Sequence, residues 1–284
     1  MSKIAVVTDS TSYMPLELAK KHSITVAPQV LIWEDKTYRD GVDIQSDEFF
    51  TRLQTAKVMP TTSQVSVGDM QKIFQDLVDK GFDVLGIFVS SKLSGTNQSA
   101  NQAREMMGSA AGKIHIVDSL STAMALGYQA LSVARAAEAG ASLKDCIVLA
   151  EKSRAHVGVV FAVDTLEFLH RGGRIGGAQR FLGTLMNMKP VLELRDGRVE
   201  PVDRIRTKGK ALDRVLELVV EQVQGRTPVR LATLHANASE EAKSVLERAE
   251  KELKPIESIF SAVSPTVGTH TGPGTVGLTF MAGM

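Results

Sequence analysis

His270 stands in Gly268-Thr269-His270-Thr271-Gly272-Pro273-Gly274, an imidazole set among glycines and hydroxyls. Glycine admits backbone conformations closed to other residues and lets a ligand approach the chain closely, so this setting suits an anionic head group better than a packed core. A purely structural loop histidine is the other reading. Three further segments carry the same hydroxyl-rich character, each after or beside an apolar run: Thr8-Asp9-Ser10-Thr11-Ser12, Pro60-Thr61-Thr62-Ser63-Gln64 and Ser90-Ser91-Lys92-Leu93-Ser94-Gly95-Thr96. Four loops far apart in the chain could meet in one site. The remaining histidines, His22, His115, His156, His170 and His235, lack such surroundings and read as structural.

Each loop also has a plainer interpretation. Ser10, Thr11 and Ser12 could cap the next helix or contact a ligand. Asp9 could accept backbone amides and fix its loop, or bind a metal; with no second carboxylate or histidine at ligand spacing the first is favoured, and no metal is expected. Ser94-Gly95-Thr96 follows a strand and opens a helix, where free amides and the helix dipole favour an anion. No Gly-x-x-x-x-Gly-Lys-Ser/Thr loop is present, which disfavours that mode of nucleotide binding, and no Gly-x-Ser-x-Gly surrounds Ser94, which removes the usual hydrolase elbow. A Ser94, His270 and Asp9 triad stays open. Arg171-Gly172-Gly173-Arg174 is either a solvated basic turn or a device that aims the Arg171 guanidinium at the anion, directly or through His270. Arg204-Ile205-Arg206-Thr207-Lys208-Gly209-Lys210 is an exposed turn or a docking surface for an acidic or phosphate-bearing partner.

The elements that must position these residues follow from periodicity. Ile4–Val7, Val84–Val89 and Ile114–Val117 read as strands, followed by helical stretches at Pro15–Lys21, Asn97–Met107 and Thr122–Ala139. Such alternation predicts a mostly parallel sheet with helices on both faces, and in that architecture ligands sit beyond the carboxyl ends of the strands. The three strands end at Asp9, Ser90 and Asp118-Ser119, so their polar turns should share one rim. Tyr38–Ile44 reads as a turn, Ser46–Leu53 as a helix with Ser46 as N-cap, Val67–Lys80 as a helix closed by Gly81, and Ser142 to about His156 as another. The second half changes pattern. Asp196-Gly197 joins two runs between Val191 and Val202 as a hairpin; strands are expected at Val157–Val163, Val229–Leu234, Ile256–Ala262 and Thr275–Met281, and helices at Gly209–Gln224 and Ser239–Leu253. The chain therefore reads as two α/β domains, 1–155 and 156–284, the second with a mixed sheet.

Composition narrows the function classes. With 43% apolar and 23% charged residues the chain can bury a sizeable core, so disorder is not the reading. A formal charge of +1 offers no global field for nucleic acid or an anionic membrane, so any basic function must be local. The single cysteine, Cys146, excludes an intramolecular disulfide and a cysteine-based zinc site. The start Met1-Ser2-Lys3 leads straight into a strand, without a signal-peptide pattern or a membrane-length apolar stretch; a cytoplasmic protein without stable membrane insertion is expected.

Together with Leu166-Glu167-Phe168-Leu169-His170-Arg171-Gly172-Gly173-Arg174-Ile175-Gly176, the four polar segments resemble the DegV family of fatty-acid-binding proteins, over essentially the whole chain. The resemblance implies a non-enzymatic carrier that encloses one long-chain fatty acid in a tunnel between its domains, with no other cofactor. Where a fatty-acid kinase exists, it implies a carrier that presents the carboxylate for acyl-phosphate formation. Thr62, Ser63 and Ser94 match the family's head-group positions, Gly95 would approach by its backbone, and His270 and Arg171 match the polar network behind. Arg204 lies where the family uses a basic residue for work with the kinase, and Arg206 accompanies it. Apolar lining is expected among Phe161, Leu166, Phe168, Leu169, Phe181, Leu182, Met186, Met188 and Phe280, most of which would also serve as core. An enzyme acting on a small acidic or phosphorylated substrate, and a lipid-sensing regulator, are the alternatives.

Overall fold

The structure, a computed structural model, describes residues 3–183 and 188–284; Met186, expected as lining, lies outside the described residues. The first half runs β1 (Lys3–Asp9), α1 (Leu16–Lys21), β2 (Thr25–Ala27), β3 (Val30–Trp33), β4 (Lys36–Arg39), α2 (Ser46–Leu53), β5 (Thr61–Ser63), α3 (Val67–Asp79), β6 (Phe82–Phe88), α4 (Thr96–Met106), β7 (Ile114–Asp118), α5 (Ala123–Glu138) and α6 (Leu143–Ser153). The second continues with β8 (Val157–Ala162), α7 (Glu167–Arg171), β9 (Lys189–Arg195), β10 (Arg198–Ile205), α8 (Lys208–Val223), β11 (Val229–His235), α9 (Ser239–Leu253), β12 (Glu257–Ile259), α10 (Pro265–Thr271) and β13 (Val276–Ala282).

Strands β2-β1-β6-β7 form a parallel sheet in that order. Val84, Leu85, Ile87 and Phe88 of β6 are all fully buried, the unbroken apolar run that a central parallel strand needs because helices cover both faces. The carboxyl ends share a rim: the Val89 N–H donates to Asp9 Oδ2 at 2.7 Å, and the Ser90 N–H to the Ser121 carbonyl at 2.8 Å. Helix α5 packs on β1 and β6 on one side and on β8, β11 and β13 on the other. An alanine-rich helix that is apolar nearly all round is built for such a doubly covered place.

The second sheet, ordered β10-β9-β8-β13-β11-β12, is mixed, with only β11 and β12 parallel. Asp196 and Gly197 turn its hairpin at φ 49° and 78°, as a two-residue loop of this type requires. The tip is seated on the parallel sheet's rim, where the Gly197 carbonyl accepts from Ser90 Oγ at 2.8 Å. Side chains alternate along β8: Val159 and Phe161 join the core of Trp33 and Phe49, whereas Val160 and Ala162 face the core under α8 and α9. The strands change sheet at β8. Residues 30–65 nevertheless pack, through α2, β3 and β5, against α10 from the far end of the chain.

Three local expectations are corrected. A third, antiparallel sheet β4-β3-β5 was not foreseen: Lys36–Arg39 is strand, only 40–44 forms the expected turn, and Thr61–Ser63 is strand in place of loop. Its hairpin turns at Glu34 with φ 55° and no glycine, and β5 carries no apolar alternation, so both usual signals are missing. Ser46 is the first helical residue rather than the cap; its hydroxyl donates to the Val263 carbonyl at 2.6 Å, and Gln45 precedes the helix. His270 lies in the last turn of α10 rather than in a loop.

Candidate functional site

The polar segments converge on a partly open, mostly apolar cavity between the rim of the parallel sheet and the inner face of the mixed sheet. Its apolar wall comes from Val159 and Phe161 of β8, Leu194 and Val199 of the hairpin, Leu169, Leu234, and Val89 and Leu93 beside the rim. Its polar wall holds Thr62, Ser63, Gln64, Ser94, Arg174, Thr266 and His270, with Thr11, Tyr13, Gln29 and Thr122 further along. Of the expected lining, Phe161 and Leu169 reach it. Phe168 lines an adjoining outer recess; Phe280 faces away into the core under α8 and α9, because β13 alternates like β8.

Helix α10 brings His270 to this wall. Ser264 caps its first turn, accepting from the Val267 N–H, and Pro265 occupies the first helical position, where no hydrogen bond is lost. Gly268 lets the helix lie on the Phe49–Phe50 pair, since a Cβ there would come within 2.6 Å of the Phe50 ring. His270 Nε2 lies 2.7 Å from Thr62 Oγ1, while Nδ1 has no hydrogen-bond partner among the described residues and backs onto Gly172, where a Cβ would stand 2.0 Å away. Burial, then the positive charge of Arg174, hold the imidazole down at a pKa of about 4, so it is neutral at pH 7. An orphaned buried N–H is rarer than an under-used acceptor, which assigns the single ring proton to Nε2. Thr62 then accepts from His270, leaving its own hydroxyl proton for the cavity.

Ser94 is half-buried at the N-terminal approach to α4, its Oγ 3.0 Å from Thr96 Oγ1. Gly95 precedes the first turn and is covered by the Gln64 amide, which a Cβ would meet at 2.7 Å. Ser63 is exposed at the cavity's edge. Asp9 takes the loop-fixing role: it accepts from the Thr11 N–H at 3.0 Å, Thr11 Oγ1 at 2.7 Å and the Val89 N–H, tying β1 to β6. Ser94 and His270 hydrogen-bond to Thr96 and Thr62 and not to each other, so the triad arrangement is not formed. Among the described residues no group of three His, Cys, Asp or Glu side chains could hold a metal ion.

The guanidinium that turns into the cavity is Arg174. Arg171 stays at the end of α7, exposed and paired with Glu167 at 2.5 Å, and lines only the outer recess that shares Thr62, Arg174 and His270 with the cavity. Helix α7 ends at Gly172, and Gly173 turns with φ 70°, which carries Arg174 inward. There its Nε donates to the Leu93 carbonyl at 2.9 Å and Nη1 to the Gly172 carbonyl at 2.7 Å. Burial depresses its pKa and no carboxylate among the described residues offsets its charge. Arg204 and Arg206 are exposed at and after the end of β10, Arg204 over the Phe181 ring at 5.0 Å; Lys208, expected in the same cluster, is instead held by Asp164 and the Gly274 carbonyl.

A family model described as "Uncharacterised protein, DegV family" matches residues 3–283, and the chain belongs to the DegV family. It is 35% identical to Protein DegV of Bacillus subtilis over 277 residues, covering 97% of this chain and 98% of that one. Among solved structures, it resembles one described as fatty acid binding of a DegV family protein from Thermus thermophilus, with a TM-score of 0.93, 34% identity and 99% of each chain covered. It likewise resembles DegV of Bacillus subtilis, described as a fatty acid binding protein, with a TM-score of 0.90, 34% identity, and 99% of this chain and 100% of that one covered. Among the described residues no helix is long and apolar enough to cross a membrane.

Proposed function

We propose that the protein binds one long-chain fatty acid, acyl chain against the mixed sheet and carboxylate among Thr62, Ser94 and Arg174. The observation that carries this reading is the half-buried Arg174 guanidinium, which lacks an acidic partner among the described residues and sits on the polar wall of an otherwise apolar cavity. Burying about fourteen methylenes at ~0.8 kcal/mol each yields roughly 11 kcal/mol of gross driving force, before ordering and desolvation are subtracted. A buried carboxylate without partners would cancel much of it. Two hydroxyl donors and one guanidinium supply those partners, and neutral His270 holds Thr62 in its donating orientation. Ser63 flanks the head group at the cavity's edge, Gly95 lies behind the Gln64 amide, and Arg171 stands outside in the recess.

The finer part of the proposal is presentation of this carboxylate to a fatty-acid kinase subunit. The outer recess reaches the same three residues, Thr62, Arg174 and His270, from the other side, and Arg204 and Arg206 offer exposed positive charge for docking. Lipid binding is tested by titrating the delipidated protein with palmitate and with hexadecanol, which shares the chain and lacks the charge. Palmitate should bind more tightly by about 1.5–3 kcal/mol, the range for hydrogen bonds to a charged group. Equal affinities would remove the carboxylate site.

A further inference from the structure

Behind Ser94 runs a second line of polar groups, Gln29 and Thr96; Gln29 also borders the cavity, further along than Thr62, Ser94 and Arg174. Gln29 and Thr96 are 1% and 0% exposed, buried between the parallel sheet's rim and the three-stranded sheet. Gln29 Nε2 donates to Thr96 Oγ1 at 2.9 Å, closer than the 3.2 Å between Thr96 Oγ1 and Gln29 Oε1. The Gln29 amide also lies on the side of the buried Asp9 carboxylate and, against the upward push of burial, helps hold its pKa down, as an NH₂ group facing it does. The backbone of Gln29 is fixed as well, its N–H donating to Ser10 Oγ at 3.0 Å.

Counting protons along this line gives it a direction. Thr96 Oγ1 has one proton and, with Gln29 Nε2 donating to it, that proton is available for Ser94 Oγ, 3.0 Å away, as the shorter of the two Gln29 contacts favours. Ser94 Oγ also accepts from the Thr96 N–H at 3.3 Å, so both of its lone pairs are occupied. Its own proton is left for the cavity that Ser94 lines. With the opposite sense, Thr96 donating to Gln29 Oε1, Ser94 would give its proton to Thr96 and present its remaining lone pair to the ligand, repelling an anion. We infer that Gln29 and Thr96 are positioning residues that fix Ser94 as a donor, and so set the site's preference for a carboxylate over a neutral head group. Successive O–H bonds pointing the same way also polarise one another and strengthen the last one. This rests on the lipid-binding reading above.

The test is a double-mutant cycle on palmitate affinity, with hexadecanol as the uncharged probe and a thermal melt to confirm folding. Gln29→Met removes the donor at similar volume, and Ser94→Ala removes the terminal hydroxyl. Each alone should weaken palmitate binding about tenfold or more, the scale of a lost hydrogen bond to a charged group, and narrow the palmitate-to-hexadecanol ratio. In the Ser94→Ala background, Gln29→Met should add less than about twofold, because Gln29 acts through Ser94; with Thr62→Ala it should add in full. Thr96→Ser keeps the relay and should bind as wild type, whereas Thr96→Val should match Gln29→Met. Should Gln29→Met fail to fold, the Thr96 pair carries the same cycle. Full additivity with Ser94→Ala, or wild-type palmitate affinity in a folded Gln29→Met or Thr96→Val protein, would overturn the inference. Failure of the wild-type protein to bind palmitate would be a different result, refuting the lipid-binding reading itself.

Discussion

Replacing Arg174 by methionine keeps most of the apolar stem and removes a charge that has no acidic partner among the described residues. Two effects should separate. The Leu93 and Gly172 carbonyls lose their donor, so the melting temperature should fall modestly, at about 1 kcal/mol for each ordinary hydrogen bond. Palmitate affinity should fall by about 1.5–3 kcal/mol, roughly 10- to 150-fold, because the carboxylate loses a charge-assisted partner in a poorly solvated place. Arg171→Ala is the matched control from the same Arg-Gly-Gly-Arg turn. Its guanidinium and the Glu167 carboxylate are 59% and 54% exposed, so the pair contributes only about 0–1 kcal/mol to stability, and because Arg171 lines the outer recess and not the cavity, palmitate affinity should stay close to wild type. Calorimetric titration of both variants at 0.1 M salt provides the comparison. Wild-type affinity in a folded Arg174→Met protein, with the loss appearing in Arg171→Ala, would refute the assignment of the head-group charge.

Acid should act through His270. Its folded pKa of about 4 lies below the ordinary 6.5, so between those values the unfolded chain binds more protons and stability is lost as pH falls from 6.5 toward 4, by up to about 3 kcal/mol. Buried Asp9 and Asp40, whose carboxyls are pushed up by desolvation, work in the opposite sense. The readable quantity is therefore the difference between wild type and His270→Gln: the wild type should lose more stability from pH 7 to pH 5 in denaturant melts, and parallel losses would contradict the neutral imidazole. Arg204→Ala combined with Arg206→Ala should leave palmitate affinity unchanged and slow acyl-phosphate formation with a cognate kinase subunit; equal rates in the reconstituted reaction would remove both arginines from docking.

What the sequence disclosed and what it hid divide along physical lines. The parallel sheet was legible because β1 and β6 carry runs of buried apolar residues, and β7 a shorter β-branched run, each ending in a polar turn. Asp196-Gly197 likewise fixed a hairpin by its backbone requirement alone. Strands β3, β4 and β5 were not separable, since Lys36–Arg39 and Thr61–Ser63 are polar and are held by tertiary pairing more than by pattern. The glycines around His270 serve the backbone and not a loop for a ligand: Gly268 permits packing on Phe50 within a helix, while Gly272, at φ 75°, ends it against the Phe168 ring. The choice between Arg171 and Arg174 depended on where α7 stops, and a boundary shift of three residues exchanges a solvated side chain for one in the cavity. Gln29 left no local mark at all, because its role depends on contacts with residues about 67 positions away.

The central claim, that the cavity exists to hold a fatty acid, is tested most directly by native mass spectrometry of gently purified protein. One increment in the mass range of a long-chain fatty acid should accompany the chain, disappear on organic extraction and return when palmitate or oleate is added. A clean unliganded mass, with no uptake of either lipid by the extracted and still folded protein, would contradict it.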